Sequence, residues 1–98
     1  MSHVRFTHSA KKDLGEIYKY IAQDNIAAAD RHRARLEQRW QVLIDQPRIG
    51  RKRDEIQRDL RSIAEGNYVI FYRILGKEVQ IARVRHRDPQ VAFAQTSE

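Results

Sequence analysis

Apolar and polar residues alternate over Val4-Arg5-Phe6-Thr7, the period of a short strand. The spacing then turns helical. Ala10, Leu14, Ile17, Tyr18, Ile21 and Ala22 fall on one stripe, with Lys11, Lys12, Asp13, Glu16 and Lys19 off it, which predicts an amphipathic helix. Ser9 is the expected N-cap, because its hydroxyl can accept from a first-turn amide. Gly15 costs this helix up to about 1 kcal/mol relative to alanine and marks either a close contact or nothing. Gln23-Asp24-Asn25 interrupts the pattern, and Asp24 or Asn25 can cap a second helix. That helix has an apolar face of Ala28, Ala29, Leu36, Trp40, Leu43 and Ile44, and a polar face carrying Arg31, Arg33, Arg35 and Arg39. Pro47 and Gly50 end it. A break this short predicts an antiparallel helical hairpin. Tyr18 and Trp40 stand at core spacing, suited to packing between helix and sheet.

The remainder carries strand patterns. Leu60, Ile63 and Ala64 precede Gly66-Asn67, a turn signal. Tyr68 to Leu75 is rich in β-branched and aromatic residues, and Gly76-Lys77 is a tight turn. Val79, Ile81 and Val84 follow, with the alternation slipping at Ala82-Arg83-Val84. Turns this short join antiparallel neighbours, so a three-stranded meander is expected. Asp88-Pro89 ends the last strand, and from residue 89 onward the chain reads as a helical turn or tail over Gln90 to Ala94. The fold class is therefore α+β: a short N-terminal strand, an antiparallel helical hairpin, then a three-stranded antiparallel meander forming a small sheet with helices on one face. The 98 residues suffice for a single domain, expected to span 1–98.

Composition narrows the function classes. No cysteine is present, which excludes disulfide scaffolds, thiolate chemistry and thiolate metal sites. Met1 to Ala10 holds no apolar run of the secretory kind, and no stretch approaches the roughly 20 apolar residues of a membrane helix. A soluble cytoplasmic protein with no membrane association is expected. The net charge of +6 is uneven: eight Lys/Arg face six Asp/Glu in residues 1–47, and eleven face seven in residues 48–98. Such a balance attracts nucleic acid, an acidic protein or an anionic surface, or else serves solubility alone.

The stretch from Pro47 to Asp88 is the most specific. It runs Pro47-Arg48-Ile49-Gly50-Arg51-Lys52-Arg53, then Leu60-Arg61-Ser62, then Asn67-Tyr68-Val69-Ile70-Phe71-Tyr72-Arg73, then Ile81-Ala82-Arg83-Val84-Arg85-His86. In order and spacing it resembles the ParE branch of the RelE/ParE toxin superfamily, with its P-x-x-G-R-x-R turn, L-R-S strand, Y-x-I-x-Y strand and R-V-x-H strand end. Ala10, Asp13-Leu14, Ile17 and Tyr20-Ile21 are similar to the family's first helix, and Asn25 with Ala27-Ala28 to the start of its second. One departure stands out. Where family members continue H-G-x-R-D, this chain runs His86-Arg87-Asp88, two residues shorter.

The resemblance implies the toxin of a type II toxin–antitoxin system. ParE-like members bind DNA gyrase and poison it without chemistry of their own; RelE-like members cleave messenger RNA in the ribosome. Metal-free RNA cleavage needs a base, an acid and cations for the phosphorane charge. Arg61 and Arg83 can supply cations, and His86 is the histidine near the strand ends. No tyrosine follows Tyr72, so a C-terminal tyrosine of the RelE kind is absent. Glu65 and Glu78 fall at turns, where solvation is expected. A non-enzymatic gyrase inhibitor is thus the first expectation. A ribosome-dependent endoribonuclease using Arg61, Arg83 and His86 is the alternative. No metal or cofactor is expected in either case.

Binding of the target or of an antitoxin is assigned to Arg48, Arg51, Lys52, Arg53, Arg61, Arg83, Arg85 and His86. Each has a plainer reading. The cluster from Arg48 to Arg53 is equally a solvated loop. Arg61 can pair with Glu65 or Asp59, Arg83 can cover apolar surface with its stem, and His86 can rest on a backbone carbonyl. Arg31, Arg35 and Arg39 can pair locally with Asp30 or Glu37. The resemblance also implies a cognate antitoxin. An acidic, mostly disordered tail would suit an unpaired sheet edge and the hairpin groove. The same edge is compatible with a homodimer, or a heterotetramer with antitoxin.

Overall fold

The structure, a computed structural model, describes residues 3–95. Met1, Ser2 and residues 96–98 of the expected tail lie outside the described residues. Strand β1 (His3–Phe6) leads to helices α1 (His8–Ala22) and α2 (Ile26–Asp45) and a 3-10 turn (Pro47–Ile49). Strands β2 (Arg51–Lys52), β3 (Arg61–Glu65), β4 (Tyr68–Leu75) and β5 (Glu78–His86) follow, and helix α3 (Pro89–Gln95) closes the described chain.

β3, β4 and β5 form the antiparallel meander that the turn lengths predict. Gly66 and Gly76 lead the two tight turns with φ of 59° and 61°, a conformation in which a side chain would be strained. The full sheet is larger than the meander, in the order β1-β5-β4-β3-β2. β1 lies parallel against β5, and Arg51–Lys52, read from sequence as part of a turn, pairs with β3. The slip in alternation at Ala82 is a β-bulge: Phe71 pairs with Arg83 while Tyr72 pairs with Ile81, leaving Ala82 without a partner on β4.

Thr7, not Ser9, caps α1. Its hydroxyl accepts from Ala10 N–H at 3.0 Å and donates to Ala82 C=O at 2.8 Å. Its own amide donates to Ile81 C=O at 3.0 Å. The pairing of β1 with β5 therefore decides where the helix begins, two residues ahead of the local signal. Asn25 caps α2 as expected, accepting from Ala28 N–H at 3.0 Å. Around Gly15 nothing lies within 4 Å of a virtual Cβ, so this glycine permits no close contact.

The core lies between the helical hairpin and one face of the sheet. Tyr68, Ile70 and Tyr72 of β4 and Val79, Ile81 and Val84 of β5 meet Ala10 and Ile17 of α1 and Leu36 and Leu43 of α2. Full burial of each large aliphatic residue contributes about 1.5–3 kcal/mol. Trp40 packs edge-to-face on Phe6 at 5.3 Å and so joins α2 to β1. Tyr18 departs from the expected core role. It is half-buried, its hydroxyl donates to Asp30 at 2.6 Å across the hairpin, and the Arg33 guanidinium stands over its ring.

Candidate functional site

The basic turn is built around one buried phenol. Tyr72 Oη accepts from Gly50 N–H at 2.8 Å and donates to Pro47 C=O at 2.7 Å. This ties the Pro47-to-Gly50 turn to the centre of β4. Arg61 on β3 donates from one nitrogen to Gly50 C=O at 2.9 Å and to Arg48 C=O at 3.3 Å. It holds the turn's carbonyls rather than pairing with Glu65 or Asp59. Arg53 meets Glu55 at 2.7 Å, donates to Ser62 Oγ at 3.1 Å and covers the Phe71 ring. Arg48, Arg51 and Lys52 are exposed and make no ion pair among the described residues. Arg48, Lys52 and Arg61 line a cleft of about 250 Å³ with Asp54, Asp59 and Ile74.

At the other end of β5 the chemistry differs. Arg83 bonds Asp13 of α1 through two nitrogens, at 2.8 and 3.0 Å. Asp13 also accepts from Val84 N–H at 3.0 Å. These bonds hold the Arg83 pKa above its ordinary value. Asp13 was expected off the apolar stripe but is 8% exposed. Its spacing from Ala10 and Ile17 places it on that stripe, and this was the missed signal. His86 Nδ1 accepts from Asp88 N–H at 3.0 Å, not the backbone carbonyl contact expected, and its ring meets Tyr68 edge-on at 4.9 Å. The Tyr68 hydroxyl accepts from Gln95 of α3, and burial pushes this phenol up.

Arg61 and His86 do not converge. Arg61 pairs with Tyr72 and His86 with Tyr68 on opposite flanks of β4. Strand geometry separates the two by about 13 Å along β4 and about 10 Å across it. The eight residues expected to bind thus form two groups, one around the basic turn and one at the end of β5.

The structure adds residues that sequence reasoning passed over. Glu65 is not solvated: its side chain is 14% exposed and meets Arg39 at 3.0 Å and Arg35 at 3.5 Å. These arginines join α2 to β3 instead of pairing within the helix; the local pair is Arg33 with Glu37, at 3.9 Å. The hairpin encloses an apolar groove of about 160 Å³, floored by Leu14, Leu36 and Trp40 and rimmed by Tyr18, Arg33 and Glu37. A second cleft of about 320 Å³ lies between the hairpin and the β3–β4 turn, against Glu65, Tyr68 and His86. No three or more His, Asp or Glu side chains among the described residues are placed to hold a metal ion.

His32 borders both hollows. It is 7% exposed, its ring lies tilted against Tyr68 at 4.7 Å, and its Nε2 has no hydrogen-bond partner among the described residues. Burial, then the nearby Arg35 charge, lowers its pKa below the ordinary 6.5, against an opposing pull from Glu65. The unfolded chain therefore takes up this proton first. Stability from a neutral His32 is complete above pH 6.5 and declines as pH falls through that value, until the folded imidazole is protonated too. Urea unfolding between neutral and mildly acid pH should show this decline, and His32→Phe should flatten it. An unchanged slope in that variant would assign the decline elsewhere.

Residues 4–90 match the family described as the ParE toxin of type II toxin-antitoxin system, parDE. The chain belongs to the ParE toxin family. Among curated relatives, Toxin ParE1 of Caulobacter vibrioides is 30% identical over 88 residues, covering 89% of this chain and 91% of that protein. Toxin RelE3 of the same organism is 30% identical over 87 residues, covering 88% and 95%. A solved structure, from the chromosomal ParDE TA system of P. aeruginosa, shares the fold with a TM-score of 0.73 at 22% identity, covering 88% of this chain and 96% of that one. Within the ParE family pattern, the P-x-x-G turn is now accounted for by Tyr72. The shortened His86-Arg87-Asp88 end is a tight turn into α3. Arg87 N–H donates to Asn67 C=O at 2.8 Å, and Asp88 Oδ1 accepts from Gln90 N–H at 2.9 Å.

Proposed function

We propose that this ParE-family toxin inhibits DNA gyrase by binding it, without chemistry of its own, and that a cognate antitoxin holds it inactive. The separation of Arg61 from His86 carries the non-enzymatic part. A metal-free nuclease needs acid, base and cations around one phosphate. Here Arg83 is committed to Asp13 and Arg61 to two carbonyls. The exposed Arg48, Arg51 and Lys52 are the cations best placed to meet an acidic surface of the target.

The antitoxin reading is supported by the apolar hairpin groove and by two short sheet edges. The outer side of β1 is one edge; the other is formed by β2 and, beyond Ser62, by β3, because β2 pairs only with Arg61 and Ser62. A groove takes an amphipathic helix and an edge takes a strand, and the basic surface favours an acidic tail. Binding of such a tail should weaken as salt rises.

Purified protein should inhibit gyrase supercoiling and accumulate cleaved DNA. Absence of inhibition at several-fold molar excess would remove the gyrase reading. The likeness to Toxin RelE3 supports the second reading, a ribosome-dependent endoribonuclease. Primer extension on translated messages would then show A-site cuts that Arg61→Ala or His86→Ala abolishes.

A further inference from the structure

We infer that the sheet face turned away from α1 and α2 binds duplex DNA through its phosphate backbone. Strand register places its residues in rows. Arg5, Gln80 and Arg73 share one row, Arg51, Ser62 and Phe71 the next, and Ala64, Val69 and Arg85 a third. Neighbouring strands lie about 4.8 Å apart, so Arg5 and Arg73, in one row and two strands apart, stand about 10 Å from each other at the backbone. Where a solvated face ordinarily carries mixed polar residues, this one carries arginine on β1, β2, β4 and β5.

The state of these arginines suits an exchangeable anion. Arg51 and Arg85 make no ion pair among the described residues, and Arg73 is held by the neutral Gln57 side chain. Arg5 meets Glu78 at 2.9 Å and Arg53 meets Glu55 at 2.7 Å, but these acids are part-exposed or exposed. Exposed pairs of this kind contribute about 0–1 kcal/mol, so a phosphate can displace them. Arg83 is left out, being committed to the buried Asp13.

The same face argues for duplex over single strand. Single-strand binders stack bases on open aromatic rings. Phe71, the aromatic residue of the central row, has its ring covered by the Arg53 guanidinium at 5.9 Å. What remains is charge without a stacking platform, which reads backbone and not bases. The inference deepens the gyrase reading, since it sets the toxin against the DNA that gyrase holds. It is tested without gyrase, so the two can fail separately.

The test is fluorescence anisotropy of the full chain with a short labelled duplex across a salt series. Affinity should fall roughly a hundredfold between about 50 and 200 mM salt, as for about four phosphate contacts. Arg73→Glu with Arg85→Glu should reduce the logarithmic salt slope by about two and weaken binding at least about tenfold. Lys19→Glu with Arg31→Glu makes the same charge change on the hairpin and should leave the slope unchanged. Thermal melts check each fold, and Arg5→Gln with Arg51→Gln serves if the first pair melts early. Equal weakening by the hairpin pair, tighter binding of single-stranded DNA or RNA, or a flat salt dependence overturns the inference.

Discussion

Gly50→Ala is expected to destabilise the fold by about 2–4 kcal/mol in urea or thermal unfolding. The backbone at Gly50 is ordinary, with φ of −73°, so the cost is one of space. A Cβ there would stand 2.3 Å from Tyr72 Oη and 2.7 and 2.8 Å from two ring carbons. Tyr72 is 0% exposed and has no room to retreat. The collision also strains the bond from Gly50 N–H and moves the carbonyl that holds Arg61. Tyr72→Phe removes the oxygen alone and strands one amide and one carbonyl, at a cost of about 1–3 kcal/mol. The double variant should be less destabilised than the sum of the two, because the shortest contact is gone while the ring contacts remain. An unchanged midpoint for Gly50→Ala would refute the close approach. In a small domain with a total stability of about 5–15 kcal/mol, a loss of this size should also lower soluble yield.

Asp13→Ala should rank close behind, with a loss of about 2–4 kcal/mol. The carboxylate accepts three bonds, two from Arg83 and one from Val84 N–H, and it is the polar anchor between α1 and β5. Without it the buried Val84 amide has no acceptor. Arg83→Ala should cost less, about 1–2 kcal/mol, for two reasons. The Arg83 side chain is 45% exposed, which screens its charge, and the bond from Val84 to Asp13 survives the change. The order of the two effects is the informative result. Equal losses in chemical denaturation would mean that the ion pair, and not the amide, carries the anchor.

These two positions show how the motif and the patterning divide the work. The Pro47-x-x-Gly50 turn was legible as a motif, and so was the strand containing Tyr72. That the glycine exists to admit the phenol was not, because the residues are 22 apart in sequence. Asp13 and His32 carry a local signal in their spacing. Both sit at core positions, between Ala10 and Ile17 and between Ala29 and Leu36, where polar residue type masks the position. Glu65 had no such signal. Its two arginine partners lie on α2, and only the packing of α2 across β3 brings them together.

By itself the sequence determined the order of the first strand, the helical hairpin and the three-stranded meander, the slip at Ala82 and the membership implied by the ordered motifs. All of these depend on periodicity, turn chemistry and spacing within a few dozen residues. Tertiary structure alone decided the rest. Parallel docking of β1 on β5 moved the α1 cap from Ser9 to Thr7. Pairing of Arg51–Lys52 with β3 turned a basic loop into a sheet edge. The same register set arginines from four strands on one face and kept Arg61 away from His86. The physical reason is common to each case. Which side chains share a row depends on contacts between strands distant in the chain, and local pattern does not encode those distances.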